Sequence, residues 1–456
     1  MSVCALAIFA MSSLDADAQE RAKNALALFE HLGITSDDWN TLDDDSPILD
    51  NDETLIMKLL FHSPRIDLID IERWAAEQVE FDEVLDSPMA YRAKTIRLWG
   101  YVRSIERVNV PQDQRQRFQF DHYFRIHFQV DGQLEPAIVF CRQIPKRWAI
   151  GTVKHAGGFR SAINAFFLKV ANMADKSVPI FVAHRAAWYP QAVNVDLGIH
   201  ADHRTLGVLE MDVSLFDEVK HQQKISHHDR ECFYQLLSSV GRLQSVNLED
   251  IARKEFDIVK LLGAPATQVG LAFQVTGTAR RAVRILVNDS DIRQRFGIEH
   301  YFEIEVFVSL PQHLKLVDDE TGQSETYVDY PFVFCVRSLP VGLQEGSAIN
   351  YPVEISGFFM KLWAFRNERL KRLENGNGED SSARQTAPLF IGLPPSVITR
   401  QDAPGRNETA GLWVGISFVA LLLFVFASLC WYSQQDKRFH RALRKSDNID
   451  LTNLEK

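Results

Sequence analysis

Cysteine is scarce, with five residues in 456. Cys4 and Cys430 lie in apolar stretches near the two ends, leaving Cys141, Cys232 and Cys335 without a CxxC pair or regular spacing. A zinc site needs four clustered nitrogen or sulfur ligands and a disulfide framework an even set. Buried free thiols are therefore the expectation. No GxSxG, HExxH, P-loop or GxGxxG element occurs either. With no such element and no shared nucleophile, the expectation is a non-enzymatic protein that needs no cofactor. The composition, 46% hydrophobic and 24% charged, excludes a disordered or fibrous chain.

Charge is missing altogether between Gly411 and Tyr432, GLWVGISFVALLLFVFASLCWY. At ~1.5 Å per residue such a run reaches about 33 Å as a helix, enough to cross a hydrocarbon core of about 30 Å. Trp413, Trp431 and Tyr432 sit where interfacial aromatics belong. Lys437, Arg438, Arg441, Arg444 and Lys445 follow the run, so the positive-inside rule puts a basic tail, 433–456, in the cytoplasm. The bulk of the chain is then expected outside an inner membrane. Residues 1–18 carry a short apolar stretch and an A-x-A site but no basic residue before it, so they read as an atypical signal. A tail-anchored protein with its bulk in the cytoplasm is the alternative.

The chain repeats itself. RQRFQFDHYF (115–124) returns as RQRFGIEHYF (293–302), seven identities at a constant offset. RLWGYVRS (97–104) answers QVTGTARR (274–281) around Gly100 and Gly277. IVFC (138–141) answers FVFC (332–335), placing Cys141 on Cys335, and FFLKV (166–170) answers FFMKL (358–362). Upstream, DNDETLIMKLLFHSP (50–64) resembles HHDRECFYQLLSSVG (227–241). Growing offsets point to polar, loop-like insertions near 311–328 and 373–385 in the second copy.

The β segment of copy two reads as five strands, near 271–284, 300–309, 330–337, 351–364 and 387–392. Its pattern of a glycine in the first strand, two central strands and a G-F-F strand resembles OB-like barrels. The YF…VFC…FF-x-K pattern over the whole chain also resembles uncharacterised membrane-anchored proteins of planctomycete-type bacteria, a likeness that supplies no function. The expected class is α+β: two tandem repeats, each a helical segment plus a five-stranded OB-like small β-barrel, then one transmembrane helix. The expected divisions are an acidic helical segment 19–90, β domain 91–190, helical segment 191–268, β domain 269–397, linker 398–410 and span 411–432.

Residues 15–90 hold 20 acidic and 5 basic side chains, and residues 91–186 hold 6 and 16. Opposite charge should dock the first helical segment on its barrel. The sharper reading gives the barrel an anionic polymer, held by Arg115, Arg117, Arg142, Lys146 and Arg147. Nucleic acid is the usual OB ligand but would seldom meet an exported barrel; an acidic envelope polymer would. Binding through protein or polymer partners makes an envelope scaffold or adaptor the leading function. His200, Asp202 and His203, with His227, His228, Asp229 and Glu231, are tempting metal ligands. The first group sits in a Gly-containing loop, and Ser226 with Asp229 reads as a helix cap instead. His122 and His300, at equivalent positions, read as structural.

Overall fold

Alternation along β1 (Thr95–Asn109) sets the architecture. Ile96, Leu98 and Val102 are buried, while Arg97 and Arg103 are exposed and Trp99 and Tyr101 half-buried. Such a strand turns one face into a core and the other outward. The structure is a computed structural model that describes residues 24–75, 81–153, 158–243, 245–317, 324–366 and 384–398, with 418, 421 and 423 as isolated positions. β1 continues through β2 (His122–Val130), β3 (Ala137–Gln143), the short β4 (Gly151–Thr152), β5 (Phe159–Met173), β6 (Lys176–Arg185) and the short β7 (Ala187–Trp188). The hydrogen-bonded order β1-β2-β3-β6-β5 closes through a β1–β5 pairing, with β3 and β6 parallel.

The second copy repeats this plan with β8 (Ala272–Leu286), β9 (His300–Val317), β10 (Ser324–Val336), β11 (Tyr351–Arg366) and β12 (Arg384–Gly392), edged by β13 (Ser396–Val397). Its order β8-β9-β10-β12-β11 closes through β8–β11, again with one parallel pair, β10–β12. Both first strands carry a bulge at the same place, Val102/Ser104 and Ala279/Arg281. Gly100 and Gly277 lie just before it. A Cβ on Gly100 would stand 2.0 Å from the Gln129 carbonyl oxygen, and one on Gly277 2.5 Å from that of Phe307, so only glycine lets the strands approach.

The structure revises three details of the sequence reading. The stretch near 311–328 lengthens the β9–β10 hairpin: β9 runs to Val317, β10 begins at Ser324, and the two pair between. The ladder also slips by one residue. Phe124 faces Cys141 on β3, whereas Phe302 faces Val336, so Cys335 occupies the place of Phe140 and Arg337 that of Arg142. The parallel neighbours agree, Cys141 with Ala183 and Val336 with Gly392. Finally, the Phe pairs are split between two sides. Phe167 points inward against Phe181, while Phe166 points outward against Phe29 of the helical layer, ring centroids 4.8 Å apart.

That layer is the acidic segment. The Asp50–His62 helix buries Leu55, Ile56, Leu59 and Leu60 with Ile138, Phe140, Ile180 and Val182, the outward faces of β3 and β6. Each such aliphatic side chain contributes about 1.5–3 kcal/mol. The His227–Val240 helix is its counterpart in copy two. The expected docking of acidic segment on basic barrel is present, and the ion pairs Arg92–Asp44 and Lys169–Asp52 add charge to a largely apolar contact.

The described residues between 24 and 397 form one compact unit. A continuous apolar core leads from the first barrel through Leu206, Met211 and Phe216 into the second. Among the described residues no helix is long and apolar enough to cross a membrane. The expected span 411–432 lies outside the described residues apart from those three positions, as do residues 1–18 and the basic tail.

Candidate functional site

Two lysines sit in the middle of apolar strands. Lys169 and Lys361 are each 0% exposed, and each meets a carboxylate at 2.8 Å: Asp52, 1% exposed, and Asp229, 0% exposed. A bulge makes this possible. Phe167 faces inward, so Lys169, two residues later, would also face inward on a regular strand. The extra residue between Phe167 and Lys169 reverses the parity and pairs Lys169 with outward-facing Ile180. The bulge at Phe359/Lys361 repeats it. Both carboxylates sit in the first turn of their helices and accept a cap N–H, Leu49 to Asp52 at 3.0 Å and Ser226 to Asp229 at 2.9 Å. The capping expected for Ser226 and Asp229 is therefore present, and Asp229 also holds the buried lysine. The pair occurs in both copies and is fully buried between helix and strand, so it joins helix to barrel.

The other histidine and acid candidates are similarly committed. Asp202 and His203 lie in the Ala201–Val208 helix, not in a loop. Asp202 takes Arg253 bidentately at 2.9 and 3.0 Å and the Ala272 N–H. His203 Nδ1 accepts the His200 N–H, and its Nε2 faces the Val269 carbonyl at 3.1 Å. Glu231 holds Arg295. The His227 and His228 rings lie 3.8 Å apart at the start of their helix, and among the described residues no group of three or more ligating side chains is arranged to hold a metal. His122 contacts Asp121 at 2.5 Å and stands edge-on to Phe124, as His300 does to Phe302.

Burial, assisted by Arg147, pushes His203 down to about 4. The unfolded chain takes up a proton below about 6.5; the folded chain does not until well below that. Stability is therefore complete above pH 6.5 and falls as pH drops towards 4. The expected loss from His203 is about 2 kcal/mol at pH 5. Urea unfolding at pH 7 and pH 5 should show it, and His203→Gln should flatten the slope; equal slopes would mean the imidazole is not held neutral.

The five basic residues singled out from sequence do not form one patch. Arg115 donates to the Val110 carbonyl at 2.8 Å, and Arg117 lies over Phe118 on the helix linking β1 and β2. Its counterpart Arg295 is buried against Glu72 and Glu231, so the same motif residue joins the repeats in copy two and stays on the surface in copy one. Arg142 covers Phe120 at 4.4 Å, and with Lys146 it borders a cleft of about 360 Å³. Lys146 is tied to Asp217, and Arg147 donates to Gly198.

A different face gathers exposed guanidiniums and aromatic rings. On the outside of β1 and β5, Arg160 lies 5.2 Å from the Trp99 ring and 5.1 Å from that of Tyr101. Asp131 grips Arg160 at 2.6 and 2.7 Å and fixes its position. Arg97 sits 5.3 Å over Trp99 and Arg103 5.9 Å over Tyr101. Tyr189 closes the far side, 5.0 Å from Trp99, and the resulting cleft measures about 480 Å³. Sequence reasoning missed this face. Its signal was the alternation R-L-W-G-Y-V-R itself, together with its loss in copy two: the equivalent positions to Arg97, Trp99, Tyr101 and Arg160 carry Gln274, Thr276, Thr278 and Pro352.

Comparison with known proteins adds little. No family model and no curated protein matches the chain. Among solved structures, a small single-stranded DNA-binding protein from Streptomyces coelicolor overlays 29% of this chain and 96% of its own length, at 10% identity and a TM-score of 0.17.

Proposed function

We propose that this chain is a non-enzymatic, membrane-held binding protein with two OB-like barrels, of which the first takes an anionic polymer. The strand order, with its parallel pairing of third and last strands, supports the OB-like reading. OB barrels bind oligonucleotides and oligosaccharides on the face of their second and third strands and the adjoining loops; here the candidate face lies on β1 and β5. The observation that carries the function is the Arg97–Trp99–Tyr101–Arg103–Arg160 face of the first barrel, of which the second keeps only Arg280, at the place of Arg103. Arginines meet a charged backbone, and the two rings offer stacking surfaces to bases or sugar rings. The uncharged run 411–432 supplies the anchor, and the second barrel serves as scaffold. The basic tail favours an acidic envelope polymer as the ligand.

Tryptophan fluorescence of full-length protein in detergent, titrated in parallel with oligothymidylate and polygalacturonate, tests this. Saturable binding that weakens steeply with salt is expected for one of them. Trp99→Ala should reduce affinity by about 1–3 kcal/mol, roughly 5- to 150-fold. Deleting 411–432 should release the protein from membranes while leaving binding intact. Absence of salt-sensitive binding to either polymer, or binding indifferent to Trp99, overturns the reading.

A further inference from the structure

Charge is not evenly spread over the Arg–aromatic face. Arg97 and Arg103 stand at its two ends, both exposed, and among the described residues neither is paired with a carboxylate. Six residues of strand separate them, about 20 Å at ~3.3 Å per residue. Between them the face is not cationic. Asp131 matches Arg160, taking its guanidinium at 2.6 and 2.7 Å, and Glu210 adds a carboxylate of its own. The cleft of about 480 Å³ over Trp99 and Tyr101 is therefore lined by one guanidinium against two carboxylates.

The rest of the lining suits a ring that carries hydroxyl groups. Trp99 and Tyr101 are half-buried, with Tyr189 against Trp99. The Ala201–Val208 helix of the second repeat supplies the other side through Gly207 and the exposed Val208. A Cβ on Gly207 would stand 2.5 Å from the Pro190 carbonyl oxygen, so this helix lies as close to the barrel as its backbone allows. The polar rim consists of acceptors. Each Asp131 oxygen has a lone pair beyond the one that Arg160 uses, and Glu210 is exposed. Gln191 gives its Nε2 hydrogen to the Tyr189 carbonyl at 3.2 Å and keeps its own carbonyl oxygen. A pyranose has the complementary shape. Its C–H face stacks on an aromatic ring, and its hydroxyl groups point outward to donate to carboxylates.

The same charge pattern separates one polymer from another. A nucleic-acid strand brings a phosphate with every base, so a base on Trp99 would carry phosphates beside Asp131 and Glu210. A polysaccharide with a carboxylate on every ring meets the same repulsion. A chain in which uncharged and acidic rings alternate does not. It can lay a neutral ring over Trp99 and direct its carboxylates towards Arg97 and Arg103. Given the binding face proposed above, on which this rests, we propose that the ligand is an acidic polysaccharide of mixed charge and that the Trp99 cleft holds one of its uncharged sugar rings.

Isothermal titration calorimetry of the full-length protein in detergent tests this with three polymers of similar length at one salt concentration. They are hyaluronan, which alternates glucuronate with an uncharged amino sugar, polygalacturonate and oligothymidylate. Hyaluronan should bind tightest and oligothymidylate weakest, and Trp99→Ala should abolish that order. Glu210→Gln keeps an acceptor but removes the charge. It should narrow the gap between hyaluronan and polygalacturonate by about 2- to 5-fold at low salt, the size of one exposed charge contact. Trp99-dependent binding in which polygalacturonate or oligothymidylate matches or exceeds hyaluronan overturns this proposal and leaves the binding face standing. So does a gap that Glu210→Gln leaves unchanged. Failure of all three polymers to bind overturns the face and this proposal together.

Discussion

Asp229→Ala is expected to lower stability by about 3–5 kcal/mol, because it leaves the Lys361 ammonium buried without its counter-charge. Loss of the helix cap adds about 1 kcal/mol. Desolvation already presses Lys361 towards its neutral form, which shows how little solvent could substitute for the carboxylate. Asp52→Ala should do the same in the first repeat through Lys169, whose ammonium then keeps only Ser46 Oγ at 2.9 Å and a longer contact to the Pro47 carbonyl. The control is the double variant Lys361→Met/Asp229→Asn. It removes both charges, keeps a cap acceptor and fills the strand position with an apolar chain, so it should recover most of the loss. Urea midpoints at constant m-value measure both. A cost below about 1 kcal/mol for Asp229→Ala would show that water reaches the lysine and that the pair does not join helix to barrel.

These lysines also show where sequence reading stopped. FFLKV and FFMKL were legible as strands, since their aromatic and β-branched content allows little else. A lone lysine in such a strand reads as the solvent-facing residue, however, and its partner lies over a hundred residues upstream. The usable clue was that both copies keep a Lys in the strand and an Asp in the first helical turn. The five strand segments, the glycine at each strand crossing and the helical prelude could be read because each has a local period or steric cause. The register slip at Cys335 could not, because VFC matches letter for letter in both copies while the ladder responds to a hairpin lengthened elsewhere. The Arg–aromatic face went unread for the opposite reason. Attention to what the copies share passes over what only one of them has, and Trp99 with Tyr101 is such a difference.

Phe302→Ala is the second large effect. Phe302 is 5% exposed at the entrance of β9, with His300 edge-on at 5.5 Å and Arg284 above its ring. Truncating a buried Phe typically costs about 3–5 kcal/mol, a large share of the roughly 5–15 kcal/mol by which a domain is stable. Its equivalent Phe124 is half-buried beside the 360 Å³ cleft, so part of its ring already meets solvent and Phe124→Ala should cost clearly less. His300→Ala removes an edge contact to one ring and should cost about 0.5–1.5 kcal/mol. The decisive readout is the shape of the transition. The core runs without a break from one barrel to the other, and Arg185–Asp212, Lys146–Asp217 and Arg295–Glu72 cross between the repeats. Calorimetry of Phe302→Ala should therefore show one transition moved down as a whole, with near-ultraviolet circular dichroism from Trp99 and Trp148 in the first barrel lost at the same temperature as the rest. Two separated transitions, with the first barrel melting where it does in the parent, would mean that the repeats unfold independently in spite of their shared core.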